Sequence, residues 1–98
     1  MEMASYILSV LRTDLMVVFS WGFHSPKAIE DGLRFSVNGF LHRGLVEVVY
    51  QEGEDLFLVR IINADGTVKE EVDGIYVDGL IDYIDRKVER TPEFYTSK

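Results

Sequence analysis

Residues 33–72 read LRFSVNGFLHRGLVEVVYQEGEDLFLVRIINADGTVKEEV, and this stretch decides the fold. Apolar and polar residues alternate along it, and three short turns that contain glycine interrupt the alternation. The turns lie at Arg43-Gly44, at Gly53-Glu54 and around Ala64-Asp65-Gly66. Alternation with a period of two places successive side chains on opposite faces of a strand. The stretch therefore predicts an antiparallel β-meander.

Two of these turns set a strand register independently of each other. A two-residue turn at Arg43-Gly44 pairs Leu41 with Val46, and the turn at Gly53-Glu54 pairs Val46 with Ile61. Both registers put the same side chains on one face, although a slip of one residue would exchange the faces. Their agreement predicts one core face, formed by Leu33, Phe35, Val37, Leu41, Val46, Val48, Tyr50, Phe57, Val59 and Ile61.

The opposite face of the predicted sheet is more apolar than an ordinary solvent face. It is expected to carry Phe40, His42, Leu45, Glu47, Val49, Leu56, Leu58, Arg60 and Ile62. Arg60 and Phe40 are predicted to lie opposite Glu47, one on each side. Apolar patches of several hundred Å² mark interfaces or ligand surfaces. The alternative is that the chain covers this face with residues 15–23, with residues 25–29 or with its C-terminal tail.

The segments before the meander are less regular. Residues 3–13 carry apolar side chains at helical spacing and predict an amphipathic helix. Residues 15–23 alternate, but both sets are largely apolar, which favours a strand covered on both sides. The alternative is that they extend the first helix. Ser25 as an N-cap, with Pro26 at the first helical position and Gly32 as a C-terminal cap, predicts a short helix between them.

A second helix is predicted after the meander. Asp78 is a suitable N-cap residue, and an apolar stripe follows at Leu80, Ile81, Ile84 and Val88. Thr91-Pro92 ends this helix, and residues 91–98 are expected to form a mobile tail. Residues 1–98 are thus predicted to form a single α+β domain. Its antiparallel sheet of four or five strands carries the N-terminal and C-terminal helices on one face.

Composition excludes several classes of function. The chain of 98 residues has no cysteine, which rules out disulfides and thiolate metal sites. Its net charge of −7, concentrated after Tyr50, disfavours binding to a phosphate backbone. No segment is apolar enough to predict a membrane span or a signal peptide, so a cytoplasmic location is expected.

No catalytic or metal-binding motif is present. The two histidines, His24 and His42, show no HExxH spacing. No serine lies in a GxSxG or SxxK motif, and the glycines form no GxGxxG phosphate loop. We therefore expect neither an enzyme nor a metal or other cofactor.

Three functions fit the pattern. The first is a homodimer, or a complex with another protein, through the second face, with contacts from Phe40, Leu45, Glu47, Val49, Leu58, Arg60 and Ile62. The second is a small-molecule site, an aromatic pocket near Trp21, His24 and Phe40. Trp21 is equally suited to the core, where its indole N–H would need an acceptor. The third is an acidic phosphate mimic made by Glu54, Glu70, Asp73, Asp82 and Asp85 that acts on a nucleic-acid enzyme.

Overall fold

The computed structural model describes residues 2–89 as one antiparallel sheet with helices at both ends of the chain. The N-terminal helices are α1 (Met3–Leu11) and α2 (Leu15–Ser20), joined by a 3-10 turn at Arg12–Asp14. A second 3-10 turn, Val77–Gly79, precedes α3 (Leu80–Val88). The strands are β1 (His24–Ile29), β2 (Gly32–Asn38), β3 (Arg43–Gln51), β4 (Leu56–Asn63) and β5 (Val68–Ile75). They lie in the order β1-β2-β3-β4-β5, which confirms the predicted α+β meander.

The core lies between the helices and one face of the sheet. Val46, Val48 and Val59 are fully buried, as predicted. The helices complete the same cluster with side chains at helical spacing, among them Ile7, Leu11, Leu80, Ile84 and Val88. Within residues 2–89, every buried apolar side chain of the helices belongs to this cluster. The helices therefore cover one face of the sheet, as the sequence predicted.

The β3–β4 hairpin has the predicted register. Val46 lies opposite Ile61, Glu47 opposite Arg60 and Tyr50 opposite Phe57. At the next hairpin a register shift puts Val68 and Val72 on opposite faces of the sheet. Val72 lies opposite Val59 on the core side, whereas Val68 lies opposite Ile62 on the second face.

The predicted β2–β3 turn at Arg43-Gly44 is wrong. Strand β2 ends at Asn38, and the loop 39–42 connects it to β3. Phe35, rather than Leu41, lies opposite Val46, so the true partner is six positions earlier (41 − 35). Because six is an even number, the residues of β2 keep their predicted faces. Phe40 and Leu41 leave the sheet altogether.

The end of α3 explains this displaced turn. The Leu41 N–H donates to the Val88 carbonyl (2.7 Å), and the Phe40 N–H donates to Oε1 of Glu89 (2.8 Å). The loop thus satisfies acceptors at the helix C-terminus that have no partner within the helix. A side chain at Gly39 would place its Cβ 2.5 Å from both Cγ1 and the carbonyl oxygen of Val88. Glycine at this position allows the loop to approach the helix.

Residues 15–23 do not form the predicted strand. Leu15–Ser20 is helix α2, which corresponds to the alternative of an extended first helix. The helix buries Val18 on one side and exposes Leu15, Met16 and Phe19 on the other. A short run that is apolar at nearly every position satisfies both periods, so the pattern could not separate strand from helix.

The predicted short helix at residues 25–29 is also wrong. These residues belong to β1, the edge strand that pairs with β2. Ser25 is not a helix cap but lies in an irregular part of β1 with φ +57°. Pro26 lacks a backbone N–H, which an edge strand tolerates. The turn at Glu30-Asp31 and pairing with β2 override the capping signal.

The C-terminal helix begins later than predicted. Asp78 lies in the 3-10 turn, Gly79 occupies the N-cap position, and no side chain caps the helix. Leu80, Ile84 and Val88 are fully buried, as the apolar stripe indicated. The ion pair between Asp82 and Arg86 forms at 3.1 Å. The predicted end at Thr91-Pro92 and the tail lie outside the described residues.

Candidate interface on the second face of the sheet

A row of charged residues crosses the second face at right angles to the strands. Arg34 on β2 lies opposite Glu47 on β3, which lies opposite Arg60 on β4, which lies opposite Glu71 on β5. We call these four residues the charge row. Their signs alternate from one strand to the next, so the row has no net charge, whereas the chain carries −7.

Glu47 is the most enclosed member of the charge row. Its Oε2 lies 2.7 Å from Nη2 of Arg34, and its Oε1 accepts from Nη1 of Arg60 at 3.0 Å. Glu47 is only 6 % exposed, and each of its two carboxylate oxygens contacts an arginine. A carboxylate can be this enclosed only where its charge is compensated.

Arg60 connects the enclosed half of the charge row to its outer end. Its Nε donates to Oε1 of Glu71 at 3.0 Å. The hydrogen bond that Arg60 donates to Glu71 raises the pKa of its guanidinium above the ordinary value. Burial opposes this shift, and the hydrogen bond to Glu47 supports it. Ion pairs this exposed contribute little to the stability of a monomer. The regular alternation of their charges has a larger effect on which partner surface can pack against this face.

Apolar pairs flank the charge row on both sides. Leu45 lies opposite Ile62 on one side, and Val49 lies opposite Leu58 on the other. Leu45, Val49 and Leu58 are partly exposed, and Leu56 continues the face toward the end of β4. Ile62 is buried but does not belong to the core cluster. The second face is therefore an apolar surface divided by a neutral row of charges.

Two of the segments considered as a cover for this face, residues 15–23 and 25–29, lie elsewhere. Helix α2 contributes Val18 to the core cluster on the opposite side of the sheet. Residues 25–29 extend the sheet as β1 instead of lying across it. The C-terminal tail is not among the residues that the structure describes. No helix of the described chain buries an apolar residue on the second face.

The structure brings most of the predicted interface residues together. Six of them share the second face: Leu45, Glu47, Val49, Leu58, Arg60 and Ile62. Phe40 does not, because it lies in the loop 39–42, where it is 77 % exposed. Arg34 occupies the place opposite Glu47 that Phe40 was expected to take. The sequence prediction missed Arg34 and Glu71 as parts of the site, although a longer β2–β3 loop would have aligned Arg34 with Glu47.

His42 is buried in the loop 39–42, whereas the sequence placed it on the second face of the sheet. It is 4 % exposed, and its Nε2 lies 3.0 Å from the Ile62 carbonyl oxygen. Burial lowers the pKa of His42 below 6.5, although the hydrogen bond to Ile62 opposes this. The neutral ring therefore donates its Nε2–H to the carbonyl and fixes the loop against β4.

The three residues of the predicted aromatic pocket lie in different environments. Trp21 is fully buried, and its indole N–H donates to Oδ1 of Asp85 at 3.0 Å. It also stacks on Phe35, with ring centroids 6.3 Å apart. His24 and Phe40 are exposed. Trp21 is thus a core residue, and Asp85 accepts the hydrogen bond from its indole N–H.

An apolar cleft lies instead beside α2, where the sequence predicted a strand. Its rim includes Phe19, which is 66 % exposed, and Leu15; Met16 on the same helix is 85 % exposed. The cleft has a volume of about 400 Å³. Leu8, Leu11, Arg12, Val18, Phe23 and Pro26 complete its lining. These exposed apolar residues were missed because a strand covered on both sides was expected.

Several predicted phosphate-mimic carboxylates have partners within the chain. Glu70 accepts from Nζ of Lys87 (2.9 Å) and from the Tyr83 hydroxyl (3.0 Å). The contact with Lys87 lowers the pKa of Glu70, whereas burial followed by Glu70 raises the pKa of Tyr83 to about 12. Asp82 pairs with Arg86, and Asp85 with Trp21. Residues 2–89 contain no group of three or more histidine or carboxylate side chains arranged to hold a metal ion.

The helical stretch Met3–Ser20 is long and apolar enough to cross a membrane. Its mean hydropathy is 1.4, and 22 % of it is buried in the structure. Core helices of soluble proteins and signal sequences share this length and composition. The sequence pattern predicted a helix at residues 3–13, a strand at residues 15–23 and no spanning segment.

The chain matches no protein-family model, no curated protein and no solved structure. Neither sequence relatives nor fold relatives therefore suggest a ligand, a partner or a reaction. The surface features described above carry the functional argument.

Proposed function

We propose that the protein is a small, non-enzymatic interaction module that forms a homodimer through the second face of its sheet. The enclosed position of Glu47 carries this proposal. Its carboxylate lies between two arginines on a face without a covering helix in the described chain. Moving an unpaired charge into an interface is costly, but a charge already paired within its own chain loses less solvation.

The residues around the charge row have the composition of an interface. Leu45, Val49 and Leu58 supply partly exposed apolar area next to two arginines. The cores of interfaces are depleted of lysine and glutamate and enriched in arginine, aromatic residues and methionine, and this face shares the arginines and the low content of unpaired charge. Within residues 2–89, the acid at the centre of this face is Glu47, which is paired with two arginines. The face therefore suits a partner that is also apolar and locally neutral.

A second copy of the chain is the partner that this face fits best. A strongly basic protein would be attracted to the acidic remainder of the surface instead of to the neutral second face. An alternating charge row can complement itself, because it contains equal numbers of both signs. Twofold symmetric dimers are also the commonest closed assemblies of soluble proteins.

Size-exclusion chromatography with light scattering tests the proposal. The wild-type chain is expected to be a dimer at micromolar concentration, and Leu58→Glu a monomer with an unchanged circular dichroism spectrum. Met16→Glu is the matched control, because it introduces the same charge at an exposed apolar residue of α2. This variant should remain dimeric. A wild-type monomer at high micromolar concentration, unaffected by Leu58→Glu, would contradict the proposal.

The apolar cleft beside α2 supports a second candidate function, the binding of a small apolar molecule. Its volume of about 400 Å³ lies in the range of ligand pockets. Phe23 lines the cleft and lies 4.7 Å from Phe35, which stacks on Trp21. Trp21 fluorescence should therefore respond when a medium-chain fatty acid or an aromatic hydrocarbon binds. Titrations that leave the emission of the wild-type chain and of Phe19→Ala equally unchanged would contradict this function.

A further inference from the structure

We infer that the two subunits of the dimer are related by a twofold axis that runs parallel to the strands, above the boundary between β3 and β4. This inference rests on the proposed homodimer and adds its geometry. Strand β3 of one subunit lies over β4 of its partner, and β2 lies over β5. The partner is thus a second copy in one defined orientation.

The order of signs in the charge row selects this axis. From β2 to β5 the row reads positive, negative, positive, negative. Rotation about an axis parallel to the strands reverses the strand order, so Arg34 lies over Glu71 of the partner subunit. Glu47 likewise lies over Arg60 of the partner subunit. Every charge of the row then meets a charge of opposite sign.

A twofold axis that runs along the charge row, perpendicular to the strands, also places the two faces together. That rotation keeps the strand order, so each member of the row lies over its own copy. Arginine would then oppose arginine, and glutamate would oppose glutamate. Like charges facing each other across an interface cost several kcal/mol. The charge row therefore distinguishes the two orientations.

The apolar pairs fit the same exchange of strands. Leu45 lies over Ile62 of the partner subunit, and Val49 over Leu58 of the partner subunit. The stacked positions carry side chains of similar size, and Leu45, Val49 and Leu58 supply the exposed area there, because Ile62 is buried. The strands of the two sheets run in nearly the same direction, as in aligned sheet packing. Lys27 lies on the edge strand β1, opposite Arg34 on β2. In this orientation β1 projects past β5 of the partner subunit, so Lys27 has no strand of the partner over it.

Chemical crosslinking tests the axis, because the chain has no cysteine of its own. Ser36 and Val68 mark the two ends of the row that contains Leu45 and Ile62. The axis places residue 36 over residue 68 of the partner subunit at the distance between packed sheets, about 10 Å. Residue 36 and its own copy are three strand spacings apart sideways, about 17 Å in all. Ser36→Cys and Val68→Cys both leave the charge row intact.

The two single-cysteine variants are mixed, allowed to exchange subunits and treated with a bis-maleimide that spans about 10 Å. The mixture is expected to give several-fold more covalent dimer than either variant alone. Adding Leu58→Glu to both variants should remove the product. A monofunctional maleimide confirms that both cysteines react.

The remaining outcomes separate a failure of the inferred axis from a failure of the proposed homodimer. If light scattering shows a dimer but the mixture gives no more covalent dimer than the separate variants, the axis is wrong and the homodimer stands. If each variant crosslinks with itself, the strands are not exchanged as inferred. If light scattering shows a monomer, the proposed function fails, and the inferred axis fails with it.

Discussion

The two faces of one sheet illustrate how the same strands serve two environments. On the core face, Val46, Val48 and Val59 are fully buried beneath the helices. On the second face, neighbours in the same strands form apolar pairs that alternate with a neutral charge row. Successive side chains of a strand point to opposite faces, so adjacent residues can have unrelated roles. The core face holds the monomer together, and the second face is the one that we propose to contact a partner.

Val48 and Val49 give the sharpest comparison, because they are adjacent and chemically identical. Val48→Ala removes two fully buried methyl groups and should lower the free energy of unfolding by about 2–3 kcal/mol. Val49→Ala should cost less than about 1 kcal/mol in the monomer but weaken the dimer. Urea unfolding at low protein concentration measures the first quantity, and light scattering measures the second. Equal losses of monomer stability would remove the distinction between the faces.

Gly39 shows how closely the β2–β3 loop must approach the helix of the core face. Gly39→Ala places a Cβ against backbone atoms of Val88 and should destabilise the fold by about 1–3 kcal/mol. Gly79→Ala is the matched control, because no heavy atom lies within 4 Å of its Cβ position. Thermal unfolding of both variants checks the difference. A neutral Gly39→Ala would show that the loop does not pack against α3.

Reversal of all four signs in the charge row tests the second face without changing its apolar area. The variant Arg34→Glu, Glu47→Arg, Arg60→Glu, Glu71→Arg keeps the alternation and should still form a homodimer. With the wild-type chain it would place like charges together, so mixed dimers should be several-fold less frequent than chance. Pull-down with two affinity tags measures this preference. Free mixing would show that the row does not set the register.

His42 should give the smallest effect, a pH dependence of folding. Burial lowers its pKa in the folded state, so the unfolded chain binds more protons just below pH 6.5. The stabilisation is fully present above that pH and is lost as the pH falls toward the folded-state pKa. Urea unfolding between pH 7.5 and about pH 5 should therefore show declining stability in the wild type. His42→Gln should flatten the decline, whereas a change at the exposed His24 should leave it unaltered.

Sequence patterns were most reliable where structure is local. The β3–β4 hairpin was predicted residue by residue, because the turn and both alternating strands lie within a short stretch. The apolar stripe of α3 was equally clear. The predicted strand at residues 15–23 and the predicted helix at residues 25–29 were wrong. A short apolar run and a capping pattern are each compatible with more than one secondary structure. Their true elements depend on pairing with β2 and packing on the sheet.

The candidate site shows the same division. Leu45, Glu47, Val49, Leu58, Arg60 and Ile62 could be grouped from period-two alternation and one hairpin turn. Arg34 lies opposite Glu47, where Phe40 was expected, because contacts with the distant helix α3 set the length of the β2–β3 loop. The exposed apolar surface of α2 could not be foreseen, because hydrophobicity alone does not show which side of a helix remains uncovered.

The order of residues along the chain determined which side chains share a face, because the period of a strand leaves only two choices at each position. It thereby determined that both faces of this sheet would be largely apolar. Only the tertiary structure decided where β2 ends and that Arg34 stands beside Glu47. The reason is that the Val88 carbonyl and the Glu89 carboxylate at the end of α3, far away in sequence, accept hydrogen bonds from the loop 39–42.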